Sequence, residues 1–172
     1  MRQPNEALHT SDALLPLAWE HPGPQLLVIM PALEGRKEFS ERLSEAGYAV
    51  ASTGSACEAL DYAEQELMDG IVLDLDTPYE VGARQAMISG FRLLELLWRA
   101  ARARPAALVV LTALDYAELD DVLRRRVDAL LSRSGTMPQI LARLHAALTR
   151  VAQRRQSGSL ALAVPPPAAH AE

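Results

Sequence analysis

The sequence predicts an α/β fold: a doubly wound parallel sheet of five strands held between helices, a three-layer sandwich of the (βα)5 type. Short apolar runs recur at 26–29, 48–51, 71–73, 108–111 and 129–131. Longer amphipathic stretches separate them, as crossover helices must where successive strands run parallel. A carboxylate, Asp74, stands where the third run, Ile71-Val72-Leu73, empties into a loop. That end of the strands is where open parallel sheets place their ligands.

The elements follow in order. Residues 1–24 hold Pro4, Pro16, Pro22 and Pro24 around an apolar patch ending at Trp19, and read as a partly disordered extension that docks through Trp19. The first strand, Leu26 to Ile29, is followed by a helix that puts Phe39, Leu43 and Ala46 on one face. Gly47 closes that helix just before the strand begun by Tyr48, because glycine tolerates the left-handed turn that ends helices. Ser55 is placed to cap the second helix and Thr136 the last. The last helix repeats at 3.6 residues through Met137, Ile140, Leu141, Leu144, Leu148 and Val151. Beyond Val151 come Gln153-Arg154-Arg155-Gln156-Ser157-Gly158 and then Pro165-Pro166-Pro167, so 153–172 reads as a disordered linker or tail. The folded unit is expected to span 25–152.

Composition narrows the function classes. The 172 residues, 49% apolar, suffice for one core. A formal net charge of -5 and a pI near 5.4 give no basic face for a polyanion, and Arg124-Arg125-Arg126 is short and balanced by nearby acids, so nucleic acid is not an expected partner. No run has the length of a membrane span and the N-terminus has no signal-peptide pattern, so no membrane partner and a cytoplasmic location are expected. The single Cys57 has no partner for a disulfide and is expected to be a buried packing thiol. The four histidines are scattered at 9, 21, 145 and 170, and neither a glycine-rich phosphate loop nor an H-E-x-x-H or G-x-S-x-G motif is present. No catalytic residue, metal site or cofactor is expected. Of the 17 basic Lys and Arg residues only Lys37 is lysine.

Six segments, in order and spacing, resemble the receiver domain of two-component response regulators over residues 25–152. They are L-L-V-I-M-P at 26–31, E-A-G-Y-A-V at 45–50, I-V-L-D-L-D-T-P at 71–78, G-F-R-L-L at 90–94, V-V-L-T-A at 109–113 and V-D-A-L-L-S-R at 127–133. The resemblance implies a flavodoxin-like fold and puts Asp74 at the phospho-acceptor position, with Pro78 four residues on. It puts Thr112 and Ala113 at the hydroxyl-small pair, where a hydroxyl can donate to a phosphoryl oxygen and draw the following loop inward.

Three features depart from the family's pattern. Its acidic pair for magnesium falls on Met30 and Pro31, which offer no side-chain oxygen to a hard cation. Its lysine falls on Arg133, followed by Ser134, and a planar guanidinium can bind phosphate or pair with Asp74 without copying an ammonium point charge. Its rotating aromatic falls on Leu130, which has no polar tip to move. Asp69 lies at the other end of the third strand, roughly 15 Å from Asp74 at ~3.3 Å per residue, and Asp76 lies in the loop; both read as solvated acids. Glu34, just past Pro31, is the remaining acid that would have to swing toward Asp74. The loop from Tyr79 to Ser89 is longer than the family's, and is expected to cover the pocket with Met87 and Ile88 inward and Tyr79 or Arg84 exposed.

Phosphoryl transfer needs the charge on the transferring oxygens neutralised, and metal and lysine supply much of that. The expected function is therefore an atypical receiver, or pseudo-receiver, in bacterial signal transduction. It would act through contacts with another signalling protein (a sensor kinase, regulator or output protein), without magnesium-dependent aspartyl phosphorylation. The resemblance also implies a homodimer through the fourth helix, fifth strand and fifth helix, where Glu118, Asp120 and Asp121 precede Arg124-Arg125-Arg126, and Arg143 and Arg150 lie on the last helix. A solvated helix face with local ion pairs explains the same charges. Two alternatives stand: a response regulator still phosphorylated on Asp74, and a flavodoxin-like hydrolase or cofactor protein using the enlarged loop.

Overall fold

The computed structural model describes residues 23–65, 67–81, 86–103, 105–114 and 121–162. Twelve elements follow one another: β1 (Gln25–Ile29), α1 (Leu33–Glu45), β2 (Ala49–Thr53), α2 (Ala56–Gln65), β3 (Gly70–Asp74), β4 (Tyr79–Val81), β5 (Ala86–Ile88), α3 (Gly90–Ala103), β6 (Ala107–Thr112), α4 (Asp121–Arg126), β7 (Ala129–Ser132) and α5 (Met137–Leu162). β2, β1, β3, β6 and β7 form one parallel sheet in that order. This is the doubly wound sandwich that the alternating runs predict, with the flavodoxin-like order that the resemblance implies. The chain winds outward from β1 in one direction and from β3 in the other, so the strand order reverses between those two strands. A crevice at such a reversal receives ligands.

Alternation along the strands feeds two apolar layers. Leu27, Ile29, Ile71, Leu73, Leu108 and Val110 pack against Ala56, Ala59 and Ala63 of α2 and Leu93, Leu94 and Leu97 of α3. Leu26, Val28, Val72, Val109 and Leu131 face the other way, against Leu43 of α1 and Ile140, Leu144, Leu148 and Val151 of α5. Both strand faces are therefore dry, which is why the strands read as continuous apolar runs and not as alternating ones.

Gly47 ends α1 with φ of +93°, the left-handed conformation expected of it. Ala46 is the residue that caps α1 and is exposed, so the buried face of that helix consists of Leu43 with Phe39 half-buried. Ser55 caps α2, its hydroxyl accepting from the Glu58 N–H at 3.4 Å. At the start of α5, the Thr136 N–H donates to the Gln139 side chain at 3.0 Å.

Three expectations are corrected here. α5 does not stop at 152 but continues to Leu162. Ala152 to Gln156 carry strong helix formers, and Arg155 is held by Asp69 at 3.0 Å and by the carbonyls of Met68 and Pro105, while Arg154 pairs with Asp128. Cys57 is exposed on the first turn of α2 instead of packed in the core, because Ala56 and Ala59 occupy the inward positions of that turn. The loop after Pro78 is an antiparallel hairpin pairing Tyr79 with Ile88 and Glu80 with Met87. Period-two alternation turns Tyr79 and Ile88 inward and leaves Glu80 and Met87 outward, Met87 with 54% of its surface exposed. Trp19, Arg84, Glu118 and Asp120 lie outside the described residues, and no helix of the described residues is long and apolar enough to cross a membrane.

A Cβ on Gly90 would sit 2.2 Å from the Leu75 carbonyl oxygen, and that neighbour is backbone that cannot swing away. Gly90→Ala is expected to cost at least about 1–3 kcal/mol of unfolding free energy. Gly35→Ala, in α1 with only a methionine methyl 3.9 Å away, is expected to gain about 0.4–1 kcal/mol. Urea denaturation of the two variants beside the wild type measures both signs.

Candidate functional site

Register alone assembles the site. Asp74 ends β3 opposite Leu111, one residue before Thr112, and Thr112 pairs with Ser132, one residue before Arg133. Ile29 of β1 pairs with Leu73, which brings Met30 and Pro31 to the same edge. The expected positions Met30, Pro31, Asp74, Thr112, Ala113 and Arg133 thus converge at the carboxyl edge of the sheet. Leu130 lies on β7 three residues before Arg133, 9% exposed and packed into the apolar layer that faces α2 and α3.

Asp74 is 1% exposed, so its charge depends on the donors around it. Its Oδ1 accepts from the Asp76 N–H at 3.1 Å and from the Arg133 guanidinium in a close ion pair. Its Oδ2 accepts from the Thr77 hydroxyl at 3.0 Å. Arg133 in turn has its pKa raised further, chiefly by the hydrogen bond to Asp74. The Arg133 N–H donates to the Thr112 carbonyl at 2.9 Å, so the backbone delivers the guanidinium to the pocket.

Asp76 is not the solvated loop acid that its position suggested. Its Oδ1 accepts from the Thr112 hydroxyl at 2.5 Å, its Oδ2 accepts from the Ala113 N–H at 2.7 Å, and the Nε of Arg133 stands 3.4 Å from Oδ2. β3 ends at Asp74, so strand parity does not reach Asp76, and its sequence neighbours carry no signal of this contact. Asp69 is at the far end of the sheet, paired with Arg155 and accepting from the Gln25 N–H. Glu34 is exposed in the first turn of α1.

Tyr79 is the other site residue that sequence reasoning misplaced. Fully buried, its hydroxyl donates to the Asp74 carbonyl at 2.6 Å and lies 3.0 Å from the Ile29 carbonyl. Burial raises its pKa far above the usual value, and the Asp74 charge adds to this. The alternation of Tyr79 and Val81, and of Ala86 and Ile88, about Gly82 was the legible hairpin signal.

The donor set does not fit a divalent cation. Met30 turns its thioether into the core at 6% exposure, Pro31 offers no side-chain oxygen, and the Met30 carbonyl already accepts from Arg36 at 2.7 Å. The Asp74 carboxylate in turn is held by the Arg133 guanidinium. No group of three or more His, Cys, Asp or Glu side chains among the described residues is placed to hold a metal.

Solved structures share this architecture. The chain is similar to the receiver domain of the Francisella response regulator 1452, with 21% identity and a TM-score of 0.61 over 74% of this chain and 98% of that one. The chain has the receiver fold. A second similar structure is the receiver domain of the sensor histidine kinase PA1611 from Pseudomonas aeruginosa, with 18% identity, TM-score 0.56, and 74% and 98% of the two chains covered; that protein carries a magnesium ion in its active-site cleft. A third, described as an adenylate cyclase from Rhodopirellula baltica, has 18% identity and TM-score 0.66 over 83% and 99% of the chains, so the receiver fold alone does not name an activity. Comparison with family models and with curated proteins returned no match.

Tyr79 gives a pH signature. Because its folded pKa lies above the unfolded value of 10.0, the neutral phenol contributes stability that is fully present below pH 10.0 and is lost as pH rises past it. Tyr79→Phe is expected to cost about 0.5–1.5 kcal/mol at neutral pH and to flatten the alkaline fall, read by urea midpoints across the alkaline range. Arg133→Ala, which strips a buried carboxylate of its cation, is expected to cost about 1–3 kcal/mol by the same assay.

Proposed function

We propose that the chain is a pseudo-receiver: a receiver-fold signalling protein that works through protein contacts and is not switched by magnesium-dependent phosphorylation of Asp74. The observation that carries this reading is the state of Asp74. Its carboxylate is enclosed, both oxygens are occupied, and one is held by Arg133. An acceptor oxygen must be free to attack phosphorus while positive charge gathers on the transferring oxygens. Here the guanidinium would have to leave Asp74 before attack, and Met30 and Pro31 supply nothing to bring a metal in its place. No catalytic activity of its own, no cofactor and no membrane or nucleic-acid partner enters this reading.

The proposed partner is another signalling protein, a sensor kinase, regulator or output protein, or a second copy of the chain, meeting the face formed by α4, β7 and α5. The charges on that face divide in two. Arg143 donates to the Leu130 carbonyl at 3.0 Å and Arg150 to the Asp128 carbonyl at 2.6 Å, so both are spent on fastening α5 to β7. Arg125 on α4 is exposed and is one cation of that surface that a partner could meet. If the partner is a second copy, Arg125→Glu is expected to move sedimentation velocity profiles toward monomer.

Incubation with acetyl phosphate and magnesium, followed by intact mass, tests the main reading. The expected result is no Asp74-dependent mass increase, and stoichiometric labelling lost in Asp74→Asn would overturn it.

A further inference from the structure

We propose that Asp76 is the resident anion of this site: its carboxylate fills a cradle made by two donors, the Thr112 hydroxyl and the Ala113 N–H, beside the Arg133 guanidinium, and so fixes the backbone at 113 and 114 with no covalent modification. The proposal deepens the pseudo-receiver reading by naming what sets the site when Asp74 is not the switch.

The geometry is that of a ligand, not of an incidental loop contact. Each Asp76 oxygen has its own donor, at 2.5 Å from Thr112 and 2.7 Å from Ala113, and Arg133 balances the charge while also holding Asp74. Charge-assisted bonds of this length are the strong ones. Thr112 passes the contact on: its buried oxygen accepts from the Leu114 N–H at 3.1 Å, which commits its proton to Asp76. The backbone at 113 and 114 is therefore ordered by one carboxylate, 37 residues away in sequence from Ala113. Leu114, 38% exposed, is presented to solvent by that same backbone and would be the side chain a partner meets.

The cradle is a small-oxyanion site by chemistry: a hydroxyl, an amide and a guanidinium, converging beside a strand end. The Asp76 side chain is 27% exposed, so the place it occupies is open to water on one side. A planar carboxylate fills it from within the chain, which makes the arrangement of residues 113 and 114 permanent instead of signal-dependent. Truncating Asp76 vacates the cradle, and the ligand class it would then accept is a tetrahedral oxyanion such as inorganic phosphate.

Amide NMR of the full chain tests this. In Asp76→Ala the Ala113 and Leu114 amides are expected to shift, and added inorganic phosphate to return them toward their wild-type positions along a saturable curve. In the wild type the same titration is expected to leave them unmoved. Asp76→Asn, which keeps the shape of the side chain, covers the case in which the alanine variant does not fold; it is expected to shift the same two amides by a smaller amount. Unchanged amides in both variants, or a phosphate response in the wild type equal to that of the variants, would overturn the proposal. Inorganic phosphate cannot phosphorylate a carboxylate in water, so this result is separable from Asp74 labelling, which bears on the pseudo-receiver reading alone.

Discussion

One guanidinium shared between two carboxylates is the interaction on which the site depends. Asp74 is enclosed by the sheet edge and Asp76 stands at its mouth, so two negative charges lie close together in a poorly hydrated place. Arg133 pairs with both, and its long fork can do so where the point charge of a lysine would choose one. The rest of the edge follows from this. Thr112 and Ala113 turn toward Asp76, Thr77 and the Asp76 amide close on Asp74, and Arg36 is left to the carbonyl of Met30.

The sheet makes this cheap to build. Parallel pairing fixes the residues beyond each strand end relative to one another, so a carboxylate, a hydroxyl and a guanidinium separated by up to 59 positions in the chain need no flexible loop to find each other. The hairpin of β4 and β5 adds a plug. By donating the Tyr79 hydroxyl to the Asp74 carbonyl and packing Ile88 and Val81 on the core, it stiffens the backbone that carries both acids. The insertion reaches the site from behind, through the main chain of β3, while Glu80 and Met87 line a separate cavity with Pro31 and Pro78.

The strands and the position of Asp74 were legible because dry parallel strands leave apolar runs of three or four residues and because their ends coincide with loops. The caps at Gly47 and Ser55 were legible for local reasons: each acts within four residues of itself. What stayed hidden was long-range and polar. Asp76 looked like any loop acid until Thr112 and Ala113 were beside it, and nothing in the run Leu75-Asp76-Thr77 foretells that neighbour. Tyr79 was misplaced because a phenol near a proline reads as surface, whereas two carbonyls at the strand ends give it a polar partner inside. The last turns of α5 were misread because arginines without apolar spacing resemble a linker. Their contacts are with carbonyls and acids at the other end of the sheet, which periodicity does not report.

Those turns carry a consequence for the order in which the molecule can form. Arg155 reaches the carbonyls of Met68 and Pro105 and the carboxylate of Asp69, while Arg154 reaches Asp128. The loops entering β3, β6 and β7 are thus fastened by residues synthesised after all of them. During translation the five strands can pair as they emerge, with Asp69 and Asp128 already tying the rim to Gln25 and Leu108, but the ties from Arg154 and Arg155 form only when the last helix has left the ribosome. A nascent chain halted near residue 150 would carry a paired sheet whose rim lacks that second set of ties, more open to proteases at that end than at the other.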